Sequence, residues 1–225
     1  MSNTNFKGIL FDLDGTLADN YTAIHKCTCA AFEKFGIPAP TYERVFTTVG
    51  GSILITMKRL LADTPYADLY EKTADYYLQI YPDFVFCGLK AMPYAHEVMA
   101  KLKSRGIKMA CFTNKQRSGA EAVAEKLGFD KFFDCIVATS LHSPRKPDRE
   151  FTQTALREIG LPAAEVLGVG DSPFDYLAAE NASVKSALVA TGGDSKASLL
   201  EKCPNALGIF DDLKGLSAAV LSVEI

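Results

Sequence analysis

The sequence predicts an α/β fold, a doubly wound sheet of parallel strands interrupted just after its first strand by a small all-helical domain. The apolar run at residues 8–11 is typical of a buried strand. Residues 19–87 then show helical periodicity without the alternation of a strand. From Gly88 onward, strand-like and helix-like segments alternate. Such alternation indicates parallel strands covered by helices, so an α/β core carries a helical insert.

The individual elements follow from apolar periodicity and from the glycines and prolines that end each segment. Within the insert, helices are expected over residues 21–36, 53–62 and 66–81. After it, helices are expected over residues 91–105, 115–127, 148–159 and 173–181, and strands over residues 107–112, 135–138, 166–169 and 186–189. We therefore predict a Rossmann-like core made of residues 1–18 and 88–225, and a helical domain made of residues 19–87.

The composition favours a cytoplasmic globular protein and argues against partners such as nucleic acid and membranes. Hydrophobic residues make up 48% of the chain and charged residues 23%, with a formal charge of −3. This balance offers no basic face for nucleic acid. No apolar run approaches the ~20 residues that cross a membrane, and the polar residues 1–5 show no signal peptide. The six cysteines are expected to be reduced, and three scattered histidines give little basis for a zinc site.

Four polar clusters fall at the predicted carboxyl ends of strands, where open α/β sheets bind ligands. The clusters are Asp12 with Asp14, the run Thr113, Asn114 and Lys115, the pair Arg145 and Lys146, and Asp171 with Asp175. Each cluster alone has an ordinary structural explanation as a helix cap, a turn or a solvated charge. Two carboxylates as close as the first pair, however, repel unless a proton or a cation relieves them. Taken together, the acids suit Mg²⁺, and the threonine and lysine suit a phosphoryl group.

These clusters resemble, in order and spacing, the motifs of the haloacid dehalogenase superfamily. The motifs are Asp12-x-Asp14-Gly-Thr, the strand-end Thr113, Lys146-Pro-Asp, and Gly-Asp171-Ser-x-x-Asp175. The helical insert lies where the phosphoglycolate-phosphatase-like branch of that superfamily carries its cap. The resemblance implies a Mg²⁺-dependent phosphatase that acts on a small phosphorylated metabolite, with 2-phosphoglycolate as the first candidate. We expect such an enzyme to be a monomer or a homodimer.

The same resemblance implies the chemistry of the acidic residues. Asp12 would be the nucleophile and would form an aspartyl-phosphate. Asp14 would protonate the leaving alkoxide and then activate the water that hydrolyses the intermediate. Mg²⁺ would be bound by Asp12, Asp171 and the backbone carbonyl of Asp14.

The remaining motif residues would hold the transferring group. By resemblance, Thr113 and Lys146 would bind the phosphoryl oxygens. Asn114 and Asp175 would have supporting roles. The sequence leaves open whether Asp175 supports the metal site or Lys146.

The choice of substrate is assigned to the helical insert. Gly50, Gly51 and Ser52 resemble the loop with which such caps reach into the active site, although an ordinary helix–helix turn explains them equally well. Lys58 or Arg59 follows one to two turns later and could meet a substrate carboxylate. We therefore expect a short phosphate ester that bears a second anionic group.

The sequence leaves several functions open, within the superfamily and outside it. The dehalogenases and phosphonatases of the superfamily lack the second acid of the first motif, so the presence of Asp14 argues against both of these activities. Phosphosugar mutases keep that acid, but they tend to place a histidine where this chain has Ile24, with His25 one position later. His25, like His96 and His142, is better explained as an ordinary exposed residue. A pyrophosphatase and a catalytically silent binding protein also stay possible, although no catalytic position has been lost.

Overall fold

Strands and helices alternate along the chain outside one purely helical stretch. The computed structural model describes residues 6–140 and 143–225. Its strands are β1 (Gly8–Phe11), β2 (Ala18–Asp19), β3 (Lys90–Ala91), β4 (Lys108–Gln116), β5 (Cys135–Thr139), β6 (Val166–Gly170), β7 (Lys185–Val189) and β8 (Ile209–Phe210). Its α-helices are α1 (Tyr21–Lys34), α2 (Tyr42–Phe46), α3 (Ile53–Leu61), α4 (Tyr70–Phe84), α5 (Ala95–Ser104), α6 (Arg117–Leu127), α7 (Arg149–Ile159), α8 (Pro173–Asn181), α9 (Lys196–Lys202) and α10 (Leu213–Val220). In this part of the chain, no helix has the length and apolar character needed to cross a membrane.

Six strands form one sheet in the order β5-β4-β1-β6-β7-β8, and all neighbouring strands run parallel. The central strand β1 places Phe11 opposite Cys111 on one side and Val169 on the other. The chain proceeds outward from β1 through β4 and β5, and then restarts on the other side at β6. This reversal creates a switch point between β1 and β6, where an open α/β sheet binds its ligands.

Helices cover both faces of the sheet. On one face, α5 and α6 bury Met99, Leu102 and Val123 in the same core as Ile9 of β1. On the other face, α7 buries Phe151 in a core that also contains Ala179 of α8. Each large apolar side chain buried in this way contributes roughly 1.5–3 kcal/mol to folding. The predicted doubly wound, Rossmann-like sheet is therefore confirmed.

Helices α1 to α4 form a block between the two short strands β2 and β3. These strands pair antiparallel, with Asp19 opposite Lys90, so the chain leaves and re-enters the sheet region at one place. Inside the block, α1 packs on α4, and Cys27 lies buried with its thiol 3.5 Å from the carbonyl of Tyr77. Residues 20–89, all of them described, contain no strand. The all-helical character predicted for the insert is thus present in the structure.

Several element boundaries differ from the sequence prediction. Strand β4 continues to Gln116, so Lys115 lies in a strand and not at the start of a helix. This extension is stabilised by Thr139 of β5, whose hydroxyl donates to the carbonyls of Asn114 and Lys115. Helix α5 begins at Ala95 and not at residue 91, because Lys90 and Ala91 belong to β3. The sequence patterns predict neither strand β8 nor helices α2, α9 and α10.

Candidate active site

Three carboxylates and one lysine meet at the carboxyl edge of the sheet, beside the switch point. Asp12 directly follows β1, Asp171 directly follows β6, and Asp175 lies in the first turn of α8. Lys146, from the segment between β5 and α7, donates from Nζ to Asp12 Oδ1 at 2.7 Å and to Asp175 Oδ1 at 2.6 Å. Its side chain is only 2% exposed. Residues from three separate parts of the chain are thereby brought into one buried charged cluster.

Asp175 positions Lys146. Its Oδ1 accepts from Lys146, and its Oδ2 accepts from the backbone N–H and the hydroxyl of Ser172 at 3.0 and 2.6 Å. The bonds to Ser172 form a capping box that starts α8, with Pro173 at the first helical position. Both oxygens of Asp175 are therefore engaged by protein donors. Of the two roles that the sequence leaves open for this residue, the geometry favours the support of Lys146 over the support of a metal ion.

The cluster carries more negative than positive charge. Carboxylate oxygens of Asp12, Asp171 and Asp175 lie within 4.8 Å of one another, and Lys146 is the cation among them. Burial raises the pKa of Asp12 to about 6, against the opposing effect of Lys146. Burial and the neighbouring carboxylates of Asp175 and Asp12 raise the pKa of Asp171 well above its usual value. Both shifts show that the site favours a further positive charge, either a proton or a metal ion.

The surroundings of Asp171 fit a small divalent cation. Its Oδ1 accepts from the hydroxyl of Thr16 at 3.1 Å. A Cβ atom added to Gly15 would lie 2.6 Å from Oδ2, and one added to Gly192 would collide with the same oxygen. A side chain at either position would displace this oxygen, so both glycines are needed to form the cradle around Asp171. Oxygen ligands from Asp12 and Asp171, together with water and phosphate oxygens, are the set that Mg²⁺ prefers.

Mg²⁺ is expected to stabilise the protein more at about pH 7.5 than at about pH 5. Because the pKa of Asp12 is higher in the folded protein than in the unfolded chain, the folded state binds the extra proton. The free energy of unfolding therefore falls as the pH rises from about 4 through about 6, and Mg²⁺ recovers that loss. By differential scanning fluorimetry, millimolar Mg²⁺ should raise Tm by roughly 5 °C at the higher pH and by much less at the lower pH.

Two variants provide the controls for this measurement. Asp171→Asn should lose most of the Mg²⁺-dependent increase in Tm, because it removes a ligand from the cradle. Asp211→Asn should keep it, because Asp211 is exposed and pairs with Lys196 away from the cluster. An equal increase at both pH values in the unmodified chain would contradict the assignment of the cation to these buried acids.

Asp14 lies in a second network that joins the sheet to the helical block. Lys115 Nζ donates to Asp14 Oδ2 at 2.9 Å and to the hydroxyl oxygen of Tyr81, on α4, at 2.6 Å. Asn20 Nδ2 contacts the same tyrosine oxygen at 2.6 Å and Asp14 Oδ1 at 3.3 Å. The carboxylates of the first motif thus have a lysine each, Lys146 for Asp12 and Lys115 for Asp14. This pairing relieves the repulsion that the sequence predicts between the two carboxylates.

Thr113 and Asn114 complete the strand end. The side chain of Asn114 accepts from the backbone N–H of Lys146 at 2.7 Å and donates to its carbonyl at 3.0 Å. This pair of bonds fixes the backbone of Lys146 and so supports the position of its ammonium group. Thr113 is 2% exposed, and its Oγ1 accepts from the N–H of Lys115 at 3.2 Å. Its hydroxyl proton can therefore be directed toward an oxyanion.

A cavity of about 340 Å³ lies between the helical block and the sheet, and it reaches Asp14. Gly51 and Ser52 line it, and Ser52 also caps α3 by accepting from the N–H of Ile55. Gly50 does not line the cavity. A Cβ atom added to it would instead lie 3.7 Å from the ring of Phe174 in the core. The structure therefore brings two of the three predicted loop residues to this cavity and places the third against α8.

Each of the two described histidines contacts a backbone carbonyl. His25 Nε2 is 3.0 Å from the carbonyl of Pro40, and His96 Nε2 is 2.7 Å from the carbonyl of Leu127. His142 lies outside the described residues. Ile24, at the position where a mutase histidine is expected, lines the cavity with its apolar side chain. This arrangement gives no support to the mutase alternative from His25 or His96.

Sequence reasoning assigns no role to three further side chains of the site, although it includes Lys115 in one of the polar strand-end clusters. The sequence pattern places Lys115 in a helix, although its position next to Thr113 and Asn114 is a usable signal. Asn20 and Tyr81 have no local sequence pattern that marks them, because they reach Asp14 from the start of α1 and the end of α4. Only the packing of the helical block on the sheet brings these residues together.

Comparison with known proteins places this arrangement in a family. The model of the haloacid dehalogenase-like hydrolases matches residues 9–189. One relative is a protein of Caldanaerobacter subterraneus that is provisionally named a pyrophosphatase. It is 34% identical over 80% of this chain and 80% of its own length. A phosphoglycolate phosphatase of Agrobacterium fabrum is 30% identical over 94% of this chain and 91% of its own length.

A solved structure shows the same fold. A protein of Lactobacillus delbrueckii, provisionally named a phosphoglycolate phosphatase, superposes with a TM-score of 0.86 over 96% of this chain and 98% of its own, at 23% identity. The family match spans the strand ends that carry Asp12, Lys146 and Asp171. The resemblance drawn from the sequence motifs is therefore confirmed, and the chain belongs to the haloacid dehalogenase-like hydrolase family.

Proposed function

We propose that the protein is a Mg²⁺-dependent phosphomonoesterase that acts through an aspartyl-phosphate on Asp12. The observation that carries this proposal is the buried cluster in which Lys146 holds Asp12 beside Asp171. A carboxylate fixed by a buried lysine and next to a cation site is arranged to approach a phosphoryl group. The phosphatase names of the two relatives support the same reaction class.

In the proposed reaction, a carboxylate oxygen of Asp12 forms a bond to phosphorus as the bond to the ester oxygen breaks. Asp14 gives a proton to the departing oxygen, so that an alcohol leaves. A water molecule then transfers a proton to Asp14 and attacks phosphorus, which releases inorganic phosphate and the free carboxylate of Asp12. Throughout, Lys146 and the hydroxyl of Thr113 would hold the phosphoryl oxygens. Mg²⁺ bound by Asp12, Asp171 and the backbone carbonyl of Asp14 would supply further positive charge to those oxygens.

We further propose that residues 19–87 form a cap domain over a core of residues 1–18 and 88–225. Contacts between the two parts support the position of the cap on the core. The guanidinium of Arg59 lies 5.3 Å from the ring centroid of Phe174, and Tyr81 accepts from Lys115. A cap that closes over the acids excludes water and strengthens the charge interactions inside.

The substrate is proposed to be a small phosphorylated metabolite in the cytoplasm. The names of the relatives make 2-phosphoglycolate the first candidate and pyrophosphate the second, the latter favoured by the 34% identical relative. The six cysteines, all described, are free thiols, which fits a reducing compartment. The alternative to an enzyme is a binding protein without catalytic activity, and the following test distinguishes the two.

The purified protein is expected to hydrolyse p-nitrophenyl phosphate slowly, and only with a divalent cation present. The reason is that the negative charge of the site's carboxylates repels a dianionic ester unless a metal ion lies between them. Release of nitrophenolate should rise with Mg²⁺ and fall to background in excess chelator. Full activity in chelator would contradict the metal assignment. A folded protein that turns over no phosphate ester at all would support the function of a binding protein.

A further inference from the structure

The cavity beside Asp14 is placed to receive the group that leaves the phosphorus. Its core wall includes Asp14, Asn114 and Lys115, whereas Asp12 and Asp171 do not line it. In the proposed function, Asp14 protonates the departing oxygen, so it stands between the phosphoryl site and this cavity. The volume of about 340 Å³ lies within the ~300–1,000 Å³ typical of sites for organic ligands. The cavity is therefore a site for the organic part of the substrate.

The helical block gives this cavity an uncharged and mainly apolar wall. Thirteen described residues of the block line it, and none of them carries a charge. They include Ile24, Val49, Leu54, Leu78, Val85 and Phe86. Phe86 is 49% exposed, and Lys126 Nζ lies 5.5 Å from its ring centroid. An apolar wall of this kind recognises apolar surface on a ligand.

Among the described residues, the helical block supplies no cation to this cavity for a second anionic group. Lys115 lines it, but its ammonium is already paired with Asp14 and bonded to Tyr81. Lys58 and Arg59, the cap residues expected to meet a substrate carboxylate, do not line it and lie over the rings of Tyr70 and Phe174. Arg145, on the core side, is the remaining cation among the described lining residues, and its guanidinium donates to the carbonyl of Ser143.

We infer that the preferred substrate is a phosphomonoester whose leaving alcohol has an apolar body of several carbon atoms. This inference rests on the proposed phosphatase function. For the substrate class of the same site it departs from 2-phosphoglycolate and pyrophosphate, the two candidates that the relatives' names suggest. A carboxylate placed against the wall formed by α3 and α4 would lose its hydration without gaining a charged partner. An alkyl or aryl group would instead remove apolar surface from water on both the ligand and the wall. Glycolate and inorganic phosphate, as leaving groups, offer no such surface.

A series of alkyl phosphates tests this inference without changing the chemistry of the leaving group. Ethyl, butyl and hexyl phosphate release primary alcohols of similar basicity, so differences in kcat/KM report contacts with the alkyl chain. Each methylene removed from water is worth roughly a fourfold gain, so hexyl phosphate, with four more methylenes, should exceed ethyl phosphate by about 250-fold when all four are buried. It should also exceed 2-phosphoglycolate and pyrophosphate. A flat response to chain length, or a clear preference for either anionic substrate, would overturn the inference and leave the phosphatase proposal standing.

A binding measurement keeps the inference testable if no ester is hydrolysed. Hexylphosphonate and ethylphosphonate cannot be hydrolysed at the carbon–phosphorus bond, and calorimetry in Mg²⁺ gives their Kd values directly. Hexylphosphonate should bind about 250-fold more tightly than ethylphosphonate when all four extra methylenes are buried. Equal affinities would overturn the inference independently of turnover. Absent hydrolysis combined with tight hexylphosphonate binding would reject the phosphatase proposal while retaining the apolar site.

The variant Leu78→Gln locates the effect in the cavity. Leu78 lies on α4 and lines the wall, and a glutamine there keeps a similar volume but adds a polar group. Affinity for hexylphosphonate should fall by about tenfold, and affinity for ethylphosphonate should change by less than about threefold. The matched variant Leu200→Gln, at an exposed leucine of α9 outside the cavity, should change neither. An equal loss for both ligands in Leu78→Gln, with an unchanged Tm, would place the alkyl chain elsewhere.

Discussion

Asp12→Asn is expected to abolish turnover and leave the fold intact. The amide is nearly the same size as the carboxylate, and its oxygen can still accept the hydrogen bond from Lys146. It cannot, however, act as the nucleophile, so kcat should fall by roughly 10⁴-fold or more. The loss should be similar for every phosphate ester, because the attack on phosphorus is common to all of them. Steady-state hydrolysis of p-nitrophenyl phosphate provides the measurement.

The stability of this variant separates a chemical defect from a structural one. Replacing Asp12 removes one negative charge from a cluster that has an excess of them, so Tm without metal should be unchanged or higher. Breaking a buried ion pair by removing one partner ordinarily costs about 3–5 kcal/mol, but Lys146 retains Asp175 as its second partner here. Asp211→Asn is the matched control at an exposed acid. Turnover by Asp12→Asn within about tenfold of the unmodified chain would reject the nucleophile assignment.

Much of the fold could be predicted from the sequence because its signals are local. The run that becomes β1 is apolar throughout, as a strand buried on both faces requires, and the alternation that follows leaves few topologies for the sheet. The acids at the ends of β1 and β6 could be placed together because parallel strands bring their carboxyl ends to one edge. Asp12 and Asp171 are neighbours for that reason.

The parts that could not be predicted depend on how distant segments pack. The sequence pattern favours a helix at Lys115, because nothing local shows that Thr139 extends β4 by bonding to its carbonyls. Tyr81 reaches Lys115 only because α4 lies over the end of the sheet. The apolar character of the cavity is likewise spread over residues from α1, α3 and α4, and none of these residues is unusual in its own helix. The expectation of an anionic substrate rests on Lys58 and Arg59, which do not line the cavity and lie over the rings of Tyr70 and Phe174.

Asp14→Asn is expected to have an effect that depends on the leaving group. An alkoxide is a poor leaving group and needs the proton that Asp14 would supply, whereas nitrophenolate leaves without one. We expect kcat for hexyl phosphate to fall by about 10³-fold and kcat for p-nitrophenyl phosphate by about tenfold. The smaller loss on the aryl ester reflects the second step, in which Asp14 would activate water for both substrates. Parallel assays of the two esters give the ratio directly.

The structure supplies a control for the network around Asp14. An asparagine oxygen at residue 14 can still accept from Lys115, but the buried ammonium, whose side chain is 8% exposed, loses its charged partner. Tyr81→Phe also removes a contact of Lys115 yet keeps the acid, so it should lower both activities by similar and modest factors. A loss in Asp14→Asn that is equal for the two esters and tracks a lower Tm would assign Asp14 to positioning Lys115. A loss concentrated on the alkyl ester identifies it as the acid, since the two leaving groups differ most in their need for a proton.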